Sequence, residues 1–330
     1  AASDVYKRQI LMIVIFEEDC MMQSKRESEV SAIRGFNRYY TNVLGLLNQN
    51  FLDSEYSLSE VRVLHEINKM EKCTSKYLVD TLSMDSGYLS HMLTSFQKSG
   101  LLQKKKSDED GRAYELSLTS EGRKVMTILN ARSDEQINVM LKHLSDRERT
   151  QLVKDMTSVE CILTGGKNIR LEDIKIRHSI KPGDAGFIIG MHGWIYKEEY
   201  GYTTAFEAYV ANSFYEFLLK YDSGHDRLWI AEHYGNIIGC IGVVGRGENV
   251  QIRWFLLHPN YRGLGLGKKM LKDALDFCRD VGYKTAYLDT TSDLEKAISM
   301  YQRMGFVKIS EKENHTWKDD LTELEFAMKL

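Results

Sequence analysis

The stretch HPNYRGLGLGKKM, from His258 to Met270, spends Gly263, Gly265 and Gly267 between Arg262 and the pair Lys268-Lys269. Glycine at that density leaves the backbone bare, and bare N–H groups at the start of a helix hold an anion such as a phosphate. Two common phosphate motifs do not fit. A P-loop needs GxxxxGK followed by Ser or Thr, whereas Lys268 is followed by Lys269 and Arg262 stands five positions before Gly267. A dinucleotide fingerprint needs GxGxxG early in a βαβ unit; here the spacing is GxGxG, lies mid-domain and lacks the usual acidic residue on a following strand.

The flanking elements give the turn its place. VQIRWFLLHP is rich in β-branched and aromatic residues and reads as a strand. KKMLKDALDFC carries Met270, Leu271, Ala274, Leu275 and Cys278 at helical spacing. The glycines therefore sit in a strand-to-helix turn. Around it, residues 174–330 alternate β-like runs (LWIAEH, IIGCIGVVG, TAYLDTT) with helical ones (LEKAISMYQRMG), the pattern of an α/β domain. Residues 22–163 are rich in helical periodicity and contain no proline. TGGKNIRLED, Thr164 to Asp173, reads as a linker between the two.

Arg262, Gly265 and Gly267 satisfy the pattern (Gln/Arg)-x-x-Gly-x-(Gly/Ala), and this stretch resembles the acetyl-CoA pyrophosphate loop of the GNAT acetyltransferase superfamily. LEKAISMYQRMGF resembles its late helix, with Tyr301, Gly305 and Phe306 in the Tyr-x-x-x-Gly-Phe places. The resemblance covers about residues 173–330 and implies an acyltransferase fold with a central mixed sheet. It implies acetyl-CoA as co-substrate, held by Phe255, Leu256, Leu257, Arg262, Gly263, Leu264, Gly265, Leu266, Gly267 and Lys268. It implies no metal; His192, His233 and His258 stand without partners at metal-ligand spacing. Tyr301 is then the group that protonates the departing thiolate. Phe255 to Leu257, a splayed strand in that superfamily, supplies a backbone N–H to the oxyanion. An attacking amine must be neutral although a free alkyl amine has a pKa near 10, so a base is expected. Glu199 in IYKEEYGY is the first choice, with Glu198 and Glu248 as alternatives. One departure is Leu294, where the superfamily often has asparagine; Ser292 or Asp293 would have to substitute for that contact.

The first domain has its own constellation. Between Thr74 and Gly122, one helix carries Leu78 and Leu82, and a turn follows at Ser83–Asp85. A second helix turns Leu89, Leu93 and Phe96 inward and Ser86, Tyr88, Ser90, His91 and Thr94 outward. Small and hydrogen-bonding residues on an outward face suit a helix laid in a major groove. Lys104, Lys105 and Lys106, the turn DEDGR and the alternating AYELSLT make a basic-flanked β-wing, although a charge run can also be a solvated face. The set resembles the winged helix-turn-helix of the MarR regulators over about residues 22–163, with Asp110 and Arg112 in the Asp-x-Arg of the wing. That resemblance implies a mainly α domain and a double-stranded operator contacted by the outward residues, Lys104, Lys106 and Arg112. It also implies a homodimer built from the flanking helices Glu27–Asn50 and Ser120–Leu163.

Bulk properties bound these readings. A net charge of −3 means that any nucleic-acid surface is a local patch. Five scattered cysteines with no CxxC pair argue for a reducing compartment, the cytoplasm, and against a disulfide frame. The longest apolar run, Ile10 to Phe16, is too short for a membrane span. Residues 1–21 read as a non-native or disordered extension. Taken together, the order of modules is similar to that of fused MarR–GNAT bacterial regulators. Two functions follow: a DNA-binding regulator joined to a working N-acetyltransferase, or a non-catalytic regulator whose GNAT fold only senses a ligand.

Overall fold

The computed structural model describes residues 2–46, 51–106 and 114–330, with side chains from Gln23 onward. The chain divides into two compact units, residues 1–144 and residues 145–330.

The first unit opens with the long helix α1 (Ala2–Val43). Then follow α2 (Leu58–Lys69), the short strand β1 (Cys73–Thr74), α3 (Ser75–Leu82), α4 (Ser86–Lys98), β2 (Leu102–Lys106), β3 (Tyr114–Leu118) and α5 (Ser120–Leu141). Side chains stop and start these helices. Ser57 and Glu60 form a capping box on α2, and Thr74, Asp85 and Thr119 accept backbone N–H groups at the starts of α3, α4 and α5. Ser83 takes a left-handed conformation that ends α3 and aims the chain into α4. Leu64, Ile67, Leu78, Leu89, Leu93, Phe96, Leu116, Leu118 and Met126 make one core beneath the sheet β1-β3-β2. Each such large side chain contributes roughly 1.5–3 kcal/mol by leaving water.

The second unit begins with α6 (Asp146–Thr164). After it come β4 (Ile174–Arg177), α7 (Asp184–Tyr200), α8 (Thr204–Lys220), β5 (Arg227–His233), β6 (Asn236–Arg246) and β7 (Asn249–Leu257). The chain finishes with α9 (Leu266–Val281), β8 (Thr285–Thr291), α10 (Glu295–Arg303), β9 (Val307–Asn314) and β10 (Leu321–Lys329). Its seven-stranded sheet has the order β4-β5-β6-β7-β8-β10-β9. All neighbours are antiparallel except β7 and β8, which α9 joins as a parallel crossover.

The seam lies earlier than the Thr164–Asp173 linker, and side chains account for it. At the end of α6 the buried Cys161 meets the Tyr261 hydroxyl at 3.3 Å, and Cys161 and Ile169 join the second unit's core. Asn236 donates to the Lys154 carbonyl at 3.0 Å. Gly166 lies so close to the Asn260 carbonyl that a Cβ there would collide with it. Helix α6 is therefore packed on the sheet unit although its periodicity continues that of the first unit.

Two apolar layers flank the sheet. On one face Met270, Leu271, Ala274, Leu275 and Cys278 of α9 pack on Val250, Ile252, Ala286 and Leu288. On the other, Phe206, Val210, Phe214 and Phe217 of α8 pack on Leu228, Cys240, Val244 and Trp254. At the sheet's edge Arg177 binds Asp184 through two hydrogen bonds of 2.7 and 2.8 Å and donates to Glu232 at 2.8 Å.

Candidate active site and candidate DNA-reading face

The strand β7 makes the site by leaving its neighbour. Residues 249–252 pair in parallel with residues 285–288 of β8, and pairing stops at Ile252 and Leu288. Just beyond, the register between β6 and β7 shifts by a bulge, and Trp254 has a φ of 48°, the left-handed region. A bulge bends the strand away. From Arg253 to Leu257 the edge of β7 that faced β8 has no strand partner, so its backbone groups open into the fork. A cleft of about 800 Å³ fills this fork.

The glycine turn closes one wall. Gly265 is the N-cap of α9 with a φ of 82° and open space where a Cβ would stand. Gly267 has ordinary helical geometry, but a Cβ on it would come within 3.2 Å of Leu257 and 3.6 Å of Phe255. The two glycines are therefore needed for different reasons, conformation in one case and close approach in the other. Helix α9 directs its first N–H groups at this wall. Arg262 donates to the Leu257 carbonyl at 3.0 Å, and its Nη1 donates to both Glu199 oxygens at 2.9 and 2.7 Å. Lys268 is exposed beside it. In the opposite wall the hydroxyl of the buried Thr290 has no hydrogen-bond partner among the described residues.

Tyr301, on α10, is 6% exposed. Its ring lies 6.3 Å from Phe255 and 6.0 Å from Phe306, and its hydroxyl has no partner among the described residues. Burial raises its pKa well above the tyrosine range, so it holds its proton at neutral pH. His192, buried with Nδ1 2.8 Å from the Ile188 carbonyl, is lowered by desolvation to about 4 and stays neutral.

The structure brings most of the expected residues to one place. Phe255, Leu256, Leu257, Arg262, Gly263, Gly265, Gly267, Lys268, Glu199 and Tyr301 all line the cleft. Leu264 and Leu266 instead pack into the core behind the turn. Glu248 is outside the cleft, exposed and paired with Lys284 at 2.7 Å. Leu294 lines the cleft and begins α10 without a side-chain cap. Of its possible substitutes, Asp293 faces the cleft but already accepts from Tyr202 at 3.0 Å and Thr291 at 2.8 Å. The Ser292 hydroxyl is turned to β10, where it accepts from the Thr322 N–H. Sequence reading missed Arg253, Asp289 and the Trp254 bulge. No motif marks them; the break in strand pairing does. Among the described residues no group of His, Cys, Asp or Glu is arranged to hold a metal ion.

In the first unit, Ser86, Tyr88, Ser90, His91 and Thr94 all lie on the exposed face of α4, with Leu89, Met92, Leu93 and Phe96 buried beneath. The Thr94 hydroxyl donates to the Ser90 carbonyl at 2.8 Å. Lys104 and Lys106 are exposed on β2, opposite Leu116 and Tyr114 of β3. Asp110 and Arg112 lie outside the described residues.

Residues 193–306 match the Acetyltransferase (GNAT) family, and residues 55–113 match the MarR family. The chain joins a MarR-family domain to a GNAT-family domain. An uncharacterized N-acetyltransferase of Escherichia coli, YjgM, is 32% identical over 85 residues, which are 24% of this chain and 51% of that protein. N-acetyltransferase 8B of Homo sapiens is 30% identical over 95 residues, 27% of this chain and 42% of that protein. The chain thus spans about half or less of these curated relatives. A GNAT-family acetyltransferase from Elizabethkingia anophelis, solved with acetyl-CoA bound, is 16% identical with a TM-score of 0.37, covering 48% of this chain and 99% of that one. An acetyltransferase from Streptococcus agalactiae is 18% identical with a TM-score of 0.41, covering 48% and 100%. Among the described residues no helix is long and apolar enough to cross a membrane.

Proposed function

We propose that the GNAT-family domain transfers an acetyl group from acetyl-CoA to an amine, and that the MarR-family domain binds an operator duplex as a homodimer. The observation that carries the first part is the meeting, in one cleft, of the strand fork, the glycine turn and the unpartnered Tyr301 hydroxyl. Acetyl-CoA supplies an activated acyl group and a thiol leaving group. The chain's own residues do the rest. The α9 N-terminus with Arg262 and Lys268 receives the pyrophosphate, and the bare cradle at Gly265 fits such a ligand. The unpaired edge of β7 offers backbone N–H groups to the oxygen on which charge develops. Tyr301 keeps its proton until a thiolate forms beside it. Glu199 serves as a positioning residue, since its carboxylate is already held by Arg262.

The DNA part is supported by the exposed polar face of α4 and the lysines of β2. Dimerisation is supported by Val30, Ile33 and Phe36, apolar residues exposed along α1. The alternative, a GNAT fold that senses a ligand without turnover, rests on Leu294. Release of CoA thiol with a panel of amines separates the two.

Acetyl-CoA raises the melting temperature of the parent protein, as a ligand specific for the native state must. Gly265→Val and Gly267→Val abolish that rise by blocking the backbone. An undiminished rise in both variants refutes this cleft as the acetyl-CoA site. For the DNA part, Arg112→Ala weakens operator binding by about 1–3 kcal/mol, and affinity falls steeply with salt; binding indifferent to both refutes it.

A further inference from the structure

We infer that the acceptor is a zwitterion, an α-amino acid with an apolar or aromatic side chain, whose ammonium is received by Asp289 and whose carboxylate is received by Arg253. This rests on the acetyl-transfer reading above and names its second substrate.

Arg253 and Asp289 are the first residues beyond the point where β7 and β8 part. Ile252 and Leu288, one position back, face the core under α9. The alternation of a strand turns Arg253 and Asp289 to the opposite face, towards α8. Both line the cleft. Arg253 donates from Nη2 to the Tyr209 hydroxyl at 2.9 Å and lies over the rings of Tyr209 and Trp254 at 5.6 and 5.2 Å. Asp289 accepts from the Gln251 amide at 2.8 Å. Neither has an ion-pair partner among the described residues, in contrast to Glu199, Asp293 and Glu323 around them. Glu199 is taken by Arg262, Asp293 by Tyr202, Thr291 and Lys318, and Glu323 by Asn314 and Lys312. Glu295 stands exposed at the start of α10.

A cation and an anion thus stand side by side without closing on each other. Tyr209 draws the guanidinium one way and Gln251 holds the carboxylate the other. Each retains hydrogen-bonding capacity that an isolated amine or an isolated acid would satisfy on one side only, while a zwitterion satisfies both. Phe206, Tyr209 and Trp317 form the adjoining wall, with Tyr209 and Trp317 4.8 Å apart. Such a wall suits an apolar or aromatic side chain.

The groups facing Asp289 are Gln251 and Arg253 of β7, Glu323 and Glu325 of β10, and Tyr209 of α8. Asp289 is exposed where it borders the cleft, yet desolvation, aided by Glu325 and Glu323 against Gln251 and Arg253, raises its carboxyl above the ordinary aspartate range. That makes it a better proton acceptor near neutral pH. Asp289 takes one proton from the ammonium. The freed nitrogen lone pair forms the C–N bond to the thioester carbonyl carbon as the C–S bond breaks. The thiolate takes the Tyr301 proton. The remaining excess proton of the nitrogen returns to Tyr301 through water, and Asp289 releases its proton to solvent. The sum is thioester plus ammonium giving amide, thiol and one proton.

The test compares L-phenylalanine, phenethylamine and 3-phenylpropanoate. Turnover of the two amines is followed by CoA-thiol release, and binding of all three by calorimetry on the CoA-saturated protein. L-Phenylalanine exceeds phenethylamine in kcat/KM by about ten- to a hundredfold, the worth of one charge-assisted contact, and 3-phenylpropanoate binds more weakly than L-phenylalanine. Arg253→Gln erases the ratio between the two amines through KM. Asp289→Asn lowers kcat for both by about a hundredfold or more, while acetyl-CoA still raises the melting temperature. Phenethylamine equal to L-phenylalanine in the parent, or an Arg253→Gln variant that keeps the preference, overturns the inference. So does a protein that binds acetyl-CoA yet turns over neither amine, which leaves the cofactor reading standing. Failure to bind acetyl-CoA overturns both.

Discussion

Tyr301→Phe removes one oxygen and keeps the ring. The hydroxyl has no partner among the described residues, so its loss breaks no protein hydrogen bond and leaves no donor or acceptor stranded. The ring contacts with Phe255 and Phe306 persist. Stability therefore changes by less than about 1 kcal/mol, because the hydroxyl borders the cleft and is not a buried unpaired group. Turnover behaves differently. A positioned general acid is worth roughly 10²–10⁴-fold, or about 3–5 kcal/mol of activation free energy. The assay measures CoA-thiol release, acetyl-CoA affinity and urea unfolding on parent and variant side by side. Turnover that falls by two orders of magnitude or more at constant affinity and stability supports the assignment. Turnover within about threefold of the parent refutes it. A stability loss greater than about 1 kcal/mol refutes the premise that the hydroxyl is unpartnered.

Other consequences are open to equally direct tests. Gly265→Ala forces a side chain into the left-handed region and lowers unfolding free energy by about 1–2 kcal/mol, whereas Gly267→Ala changes it less, because the roughly 0.5–1 kcal/mol that alanine gains over glycine in a helix offsets the 3.2 Å approach to Leu257; denaturant titration ranks the two. Asp184→Asn breaks the bidentate pair with Arg177 and destabilises by about 3 kcal/mol at neutral pH, as removal of one partner from a buried pair does. The Asp184 environment includes burial, which opposes ionisation, yet hydrogen bonds from Arg177 and the Lys181 N–H leave its carboxyl below the ordinary range. Its contribution is therefore present above about pH 4 and is lost as pH falls through the depressed value, so parent and variant converge in acid. Ile33→Glu places a charge in the exposed apolar stripe of α1; the proposed dimerisation predicts that the parent sediments as a dimer and this variant as a monomer, and a parent that sediments as a monomer refutes the proposal.

Much of this protein is written in local pattern. The α9 stripe from Met270 to Cys278 and the inward set Leu89, Leu93 and Phe96 of α4 repeat at helical spacing, and all of them are buried. Periodicity works there because each helix has one face to bury and side chains three and four apart share it. The glycine turn was legible too, since a positive φ at Gly265 and a close approach at Gly267 restrict the residue type strongly. The seam between units was not legible. Helix α6 joins the sheet unit through Cys161 and Tyr261, residues a hundred positions apart whose contact leaves no local trace. The fork between β7 and β8 was equally hidden, because strand pairing is decided between strands. With it went Arg253 and Asp289, an arginine and an aspartate of unremarkable type until the bulge at Trp254 opened the sheet between them. Residue types and their periods determined which elements form and which turn suits an anion. The tertiary structure decided which side chains meet in the cleft and which charges are left there without a partner.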